Sequence, residues 1–135
     1  MTQEGGGVIY AELGYKINGL LFEAHNSVGR YCNEQQVCDA IEHFLKRDKI
    51  LYKREFVLPP SFEGEMKGRN RVDFLVEDVI ILEIKCKRFL TKEDYYQAQR
   101  YLHALNRKLA ILVNFRDERI KPRRILNPQF KIQII

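Results

Sequence analysis

Between Leu13 and Val28 the apolar residues Ile17, Leu20, Leu21, Ala24 and Val28 recur at the spacing of one helix face, and Gly29 then offers a stop. Asn33 stands where a second helix would be capped; that helix runs to about Arg47 and buries Val37, Ile41, Phe44 and Leu45. The pattern changes at "ILYKREFVL", a strand-like run ended by Pro59-Pro60. "SFEGEMKGRN" follows as a turn-rich connection with room for a short strand. The stretch "RVDFLVEDVIILEIKCKRF" predicts two strands joined at Glu77-Asp78. Thr91 then caps a third helix with Glu93 and Asp94 in its first turn, where the helix dipole favours negative charge; it runs to about Asn106. "KLAILVNF" has the unbroken apolarity of a strand buried on both faces. A basic loop, Pro122, a short strand or turn at Ile125 and the tail "QFKIQII" complete the chain. The order α-α-β-β-β-α-β predicts an α/β (α+β) fold around a mixed sheet flanked by helices. Residues 1–12, with their run of glycines, are expected as a flexible tail ahead of a single domain over 13–135.

Strand alternation divides the paired strands further. Ile80, Leu82, Ile84 and Cys86 form one apolar set that belongs in the core, while Ile81, Glu83, Lys85 and Lys87 share the opposite face. Before the turn, Arg71, Asp73 and Leu75 form one set, and Val72, Phe74 and Val76 the other. A hairpin turning at Glu77-Asp78 places Asp73 beside Glu83 on a polar face.

Composition narrows the class without naming it. The chain has 135 residues, 45% hydrophobic, with 8 Phe and 7 Tyr, enough for one core and small for two. No apolar run approaches the roughly 18 residues of a membrane span, and the first residues lack the basic and apolar segments of a signal peptide. The 3 cysteines, Cys32, Cys38 and Cys86, form no C-x-x-C pair, which speaks for reduced, mostly buried thiols in a cytoplasmic protein. A net charge of +5 favours polyanionic partners. The basic residues cluster in Lys85-Lys87-Arg88, Arg107-Lys108 and "RDERIKPRR".

Asp73, Glu83 and Lys85 carry the sharpest chemistry. Paired carboxylates suit Mg²⁺, which prefers one or two such ligands and completes its shell with phosphate oxygens and water. An ammonium two residues along can face the same reacting centre. The competing reading is a solvated hairpin face with an exposed ion pair, which is worth little. His25 near a helix end suits capping or packing, and His103 has no carboxylate partner. Gly64 and Gly68 suit turns, and Glu93 and Asp94 suit a helix start.

Asp73, "EIK" (Glu83-Ile84-Lys85), an earlier helix with Glu34 near its start and a later helix bearing "QAQRY" occur in an order that resembles the PD-(D/E)XK nuclease superfamily. Val72-Asp73 stands in the Pro-Asp position, and Gln97 and Tyr101 match the Q-x-x-x-Y element of its exonuclease-type branch. Four residues apart on a helix, they share a face and can point together at DNA or at the site. More narrowly, "HNSVG", "VDFLVEDVIILEIK", "QAQRYL" and "ILVNF" resemble the GxxExxY family over nearly the whole length. Aligned from Gly29, the second glycine of that family's signature falls on Tyr31, the glutamate on Glu34 and the tyrosine on Val37.

The resemblance implies a restriction-endonuclease-like core and a Mg²⁺- or Mn²⁺-dependent deoxyribonuclease. It implies that Asp73, Glu83 and the Ile84 carbonyl hold the metal, that Lys85 acts on water and developing charge, and that Glu34 assists the ion. Glu34 also suits the first turn of a helix on dipole grounds alone. Gln97 and Tyr101 would position substrate, and Arg116, Arg119 and Lys121 in the basic loop would hold the DNA backbone. A homodimer is a common way for so small a chain to span a duplex. The competing function is a catalytically silent nucleic-acid-binding or assembly module that keeps the nuclease fold.

Overall fold

In the computed structural model, which describes residues 8–133, three helices flank a five-stranded mixed sheet. The elements are α1 (Ala11–Val28), α2 (Glu34–Arg47), β1 (Tyr52–Val57), β2 (Arg71–Val76), β3 (Ile80–Lys85), α3 (Lys92–Leu105), β4 (Leu109–Asn114) and β5 (Arg123–Leu126). Strand order in space follows order in the chain, and only the β3–β4 pair is parallel. This is the predicted order with β5 added at Ile125, and it fits the expected restriction-endonuclease-like core. The expected tail falls mostly outside the described residues, but Ala11 and Glu12 already belong to α1. The connection 61–70 forms bends and turns and carries no strand.

Two apolar clusters sandwich the sheet. On one face Ile17, Leu20, Leu21 and Ala24 of α1 and Val37, Ile41 and Leu45 of α2 pack with Phe74, Val76, Ile80, Leu82 and Ile84. On the other, Ala98, Tyr101 and Leu102 of α3 cover Leu75, Ile81, Ala110 and Leu112. Covered on both sides, β4 is buried at every position and β3 at all but Lys85, as parallel central strands require. The face predicted to be polar is therefore half apolar and lies under α3.

Strict alternation fails at one place. Val72 joins the α3-side cluster with Leu75, whereas Phe74 and Val76 face α1 and α2. The same switch occurs in β1, where Tyr52 packs toward the first cluster and Phe56 toward the second. Between them Glu55 takes a left-handed backbone with φ 52°, a conformation that costs a non-glycine residue about 1–2 kcal/mol. The Glu55/Asp73 row is also missing from the β1–β2 ladder. Both strands thus change face at the level of Asp73.

Local signals set the helix ends. The Asn33 side chain accepts from Gln36 N–H at 2.9 Å while Gln36 Oε1 accepts from Asn33 N–H at 3.0 Å, a reciprocal cap that starts α2 at Glu34. Gly29, at φ 77°, closes α1 and donates its N–H to the His25 carbonyl. At the hairpin tip Glu77 and Asp78 both have positive φ, the backbone of the turn that suits strand twist. Neighbours over-determine it: Glu77 exchanges hydrogen bonds with Leu51, and Arg107 donates to the Asp78 carbonyl and carboxylate. Replacing Asn33 by Ala removes one half of the α2 cap. We expect a loss of about 1 kcal/mol, measured as a lower midpoint of urea unfolding with an unchanged slope.

A candidate metal centre at the fork of two strands

The β2–β3 ladder pairs Val76 with Ile80, Leu75 with Ile81 and Phe74 with Leu82, and then stops. Beyond that row β3 continues beside β4, with Glu83 opposite Leu112 and Lys85 opposite Asn114, while the start of β2 stays beside β1. The two strands part like a fork, and the next row is Asp73 and Glu83. Their carboxylates take over the backbone hydrogen bonds lost there. Glu83 Oε2 accepts from Asp73 N–H at 2.8 Å, and Asp73 Oδ2 accepts from Ile84 N–H at 2.7 Å. Each side chain is thereby fixed against the other strand's backbone. Asp73 Oδ1 and Glu83 Oε1 accept no hydrogen bond among the described residues.

Glu83 is 4% exposed, so the solvated ion-pair reading does not hold for it. Burial raises its carboxyl to about 8, with the neighbouring Asp73 charge adding to the effect. Burial likewise raises Asp73 to about 6; the Ile84 N–H works against the shift and the Glu34 charge adds to it. Two carboxylates that cannot both ionise cheaply favour keeping a proton on the pair when no cation is present. A divalent cation would replace that proton. The donor set fits one: hard oxygens, one free on each carboxylate, held by backbone rather than by flexible partners. Among the described residues no three His, Cys, Asp or Glu side chains gather as a metal cluster. An ion seated on this pair would complete its shell from other oxygens.

The remaining expected site residues distribute around the fork. Glu34, the first residue of α2, lines a recess of about 190 Å³ with Arg54, Glu55, Arg71 and Asp73. Lys85 makes no ion pair with either carboxylate; its Nζ donates to Gln97 Oε1 of α3 at 2.9 Å. Tyr101 lies one turn along α3, 5% exposed in the cluster over the sheet. Its hydroxyl is shifted upward, first by burial and then by the Glu83 charge. Ile84 is fully buried and reaches the pair through its N–H. Arg116 stands one residue beyond Phe115, whose N–H donates to the Lys85 carbonyl at 2.8 Å. Arg119 and Lys121 are exposed on the following loop, which Ile120 anchors in the core.

Several positioning contacts escaped the sequence. Asn114, 2% exposed, clamps the loop after β3: its Nδ2 donates to the Lys87 carbonyl at 2.7 Å and its Oδ1 accepts from Lys87 N–H at 3.1 Å. His25 bridges the carbonyls of Phe115 and Asp117 at 3.2 and 3.0 Å, the packing role expected of it. Asp94 caps α3 through Thr91 and pairs with Lys87 at 2.9 Å; those hydrogen bonds hold its carboxyl low against the effect of burial. Cys32, Cys38 and Cys86 are free thiols, with Cys38 buried and the others half-buried. The stretch "ILVNF" contains Asn114, but nothing in its pattern signals which loop the amide clamps.

The raised carboxyls have a thermodynamic consequence with a definite sign. A group whose folded pKa exceeds its unfolded value stabilises fully below the unfolded pKa and loses that contribution as pH rises through the folded one. In divalent-free buffer we expect Tm to fall between about pH 4.5 and pH 8, the interval between the unfolded and folded values of Glu83. Glu83→Gln keeps an oxygen for Asp73 N–H and removes the charge. It should flatten that fall and gain on the order of 1 kcal/mol or more at pH 8, read by thermal unfolding across pH. A variant less stable than wild type at pH 8 would refute the strained-pair account.

A family profile described as the PD-(D/E)XK nuclease superfamily matches residues 11–125 of this chain. No curated protein and no solved structure matches it.

Proposed function

The chain belongs to the PD-(D/E)XK nuclease superfamily, and we propose that it is a divalent-metal-dependent nuclease that hydrolyses phosphodiester bonds in DNA. The observation that carries this reading is the Asp73/Glu83 pair at the strand fork, Glu83 buried and Asp73 half-buried, each carboxylate with one oxygen fixed by a backbone N–H and one left over. In a protein that only scaffolds, an apolar pair would fill this position at lower cost, because buried charge without a partner is expensive.

Asp73 and Glu83 would hold Mg²⁺ or Mn²⁺, with the Ile84 carbonyl as a neutral third donor and Glu34 assisting from the recess. When bound, the ion supplies Lewis-acid polarisation of the phosphate and acidifies water. The protein's own part is positioning and charge. Gln97 holds the Lys85 ammonium beside the fork yet out of an ion pair with the acids. Lys85 is then available to orient a water and to stabilise negative charge on the phosphorus oxygens. Tyr101 packs beneath α3, where its hydroxyl feels the Glu83 charge. The +5 chain, with Arg116, Arg119 and Lys121 beyond β4, attracts the phosphate backbone.

Cleavage of single-stranded, duplex and branched DNA with Mg²⁺ or Mn²⁺ tests the reading, alongside calorimetric metal binding. Asp73→Asn should abolish both. Lys85→Met should leave metal affinity within a few-fold and lower cleavage by about 10²–10³. Gln97→Ala should fall between, lowering turnover with metal affinity unchanged. Metal binding with no cleavage by wild type on any substrate would favour the silent binding module instead.

A further inference from the structure

Three residues before Glu34, Tyr31 is 75% exposed, on the short link between α1 and α2. Two guanidinium groups attend its ring. The Cζ of Arg30 lies 5.2 Å from the ring centroid and that of Arg116 lies 5.1 Å from it. The arrangement is assembled rather than incidental, because Arg30 Nε donates to the Arg116 carbonyl at 2.9 Å across 86 residues of sequence. The turn carrying Arg116 is itself pinned by His25, by Asn114 Oδ1 accepting from Arg116 N–H at 3.3 Å, and by the Phe115–Lys85 bond. A single surface cation over an aromatic ring is common and worth about 0.5–1 kcal/mol. Here two like charges converge on one exposed ring, and neither has a carboxylate partner among the described residues. Both guanidinium groups therefore stay open to an incoming anion.

We propose that Tyr31, Arg30 and Arg116 form a stacking site for an unpaired base of single-stranded DNA, the guanidinium groups taking the adjoining phosphate. The choice of a nucleic acid rests on the nuclease reading above; the stacking site deepens it by naming the substrate form. An exposed ring with cations around it meets a nucleotide on both counts, since bases stack on aromatic faces irrespective of sequence and phosphates pair with guanidinium. A base inside a duplex has no free face to offer. The position suits the chemistry as well. Three residues of chain keep Tyr31 within about 11 Å of Glu34, which lines the Asp73 recess. Arg116 lies two residues past Asn114, the partner of Lys85 in the parallel ladder. The ring thus stands close enough to the recess for one strand to meet both, and the site favours single strands and frayed ends.

Fluorescence anisotropy with a labelled oligo(dT) and a blunt hairpin duplex, at low salt without divalent ions, separates this site from the catalytic one. Tyr31→Ala should weaken oligo(dT) binding about tenfold and leave duplex binding within twofold. Tyr31→Phe should bind oligo(dT) as wild type does, and Arg30→Ala should weaken it. The chain contains no tryptophan, so Tyr31→Trp gives a single indole, excited selectively beyond the tyrosine absorption, whose emission stacking on added oligo(dT) should quench. Circular dichroism confirms that the variants are folded. Unchanged oligo(dT) affinity in Tyr31→Ala, equal loss on both substrates, or absence of quenching each overturns the proposal. Oligo(dT) binding that needs Tyr31 in a protein that cleaves nothing supports the stacking site while removing the nuclease reading.

Discussion

Everything around the candidate site depends on one substitution of hydrogen-bond partners. Where β2 and β3 separate, backbone N–H groups would be left unpaired in a largely buried fork, at a cost comparable to a lost hydrogen bond each. The carboxylates of Glu83 and Asp73 accept the bonds from Asp73 N–H and Ile84 N–H instead. That exchange lets the sheet fork without orphaned donors, and it locks both acids at the fork. The left-handed Glu55 and the change of face at Asp73 are the backbone side of the same event, turning the outer strands away where β3 and β4 continue together.

The surroundings offset the cost of burying Glu83 and half-burying Asp73. Phe74, Leu82 and Ile84 lie fully buried next to them in the cluster under α1 and α2, and Ala98 and Leu102 of α3 cover the other face. Packing of that kind supplies most of a small domain's stability, which leaves the fork free to be unfavourable by itself. The left-handed Glu55 and the raised carboxyls of Asp73 and Glu83 lie together at the fork, as a site prepared for charge would show. The superfamily match over residues 11–125 spans all of this architecture.

The periphery is held by long-range pins. Gln97 of α3 holds Lys85, Asn114 clamps the Lys87 loop, and His25 of α1 fixes the carbonyls of the turn after β4. Side chains from two helices and two strands thus set the rim. Sequence spacing pointed to Lys85 and Gln97 separately but not to their bond, because a residue pattern reports faces and not which faces meet.

What the chain determined by itself is what local physics controls. Helix faces repeat every three to four residues and strand faces every two, so α1, α2, α3 and the buried sides of β3 and β4 were legible. Caps act within three residues, so Asn33, Gly29 and Thr91 were legible as well. The hairpin turn sets its own register, and it therefore placed Asp73 opposite Glu83 in the sequence. Tertiary structure decided the rest. Alternation put Val72 beside Phe74, but the ladder breaks at Asp73 and Val72 packs under α3. Glu83 was placed on a polar face, yet α3 covers that face and raises the acid's pKa by burial. Arg30 and Arg116 meet at Tyr31 across 86 residues. A periodic pattern encodes which side of an element is apolar; only the packing of elements fixes where strands part, which charges lose water and which distant residues share a site.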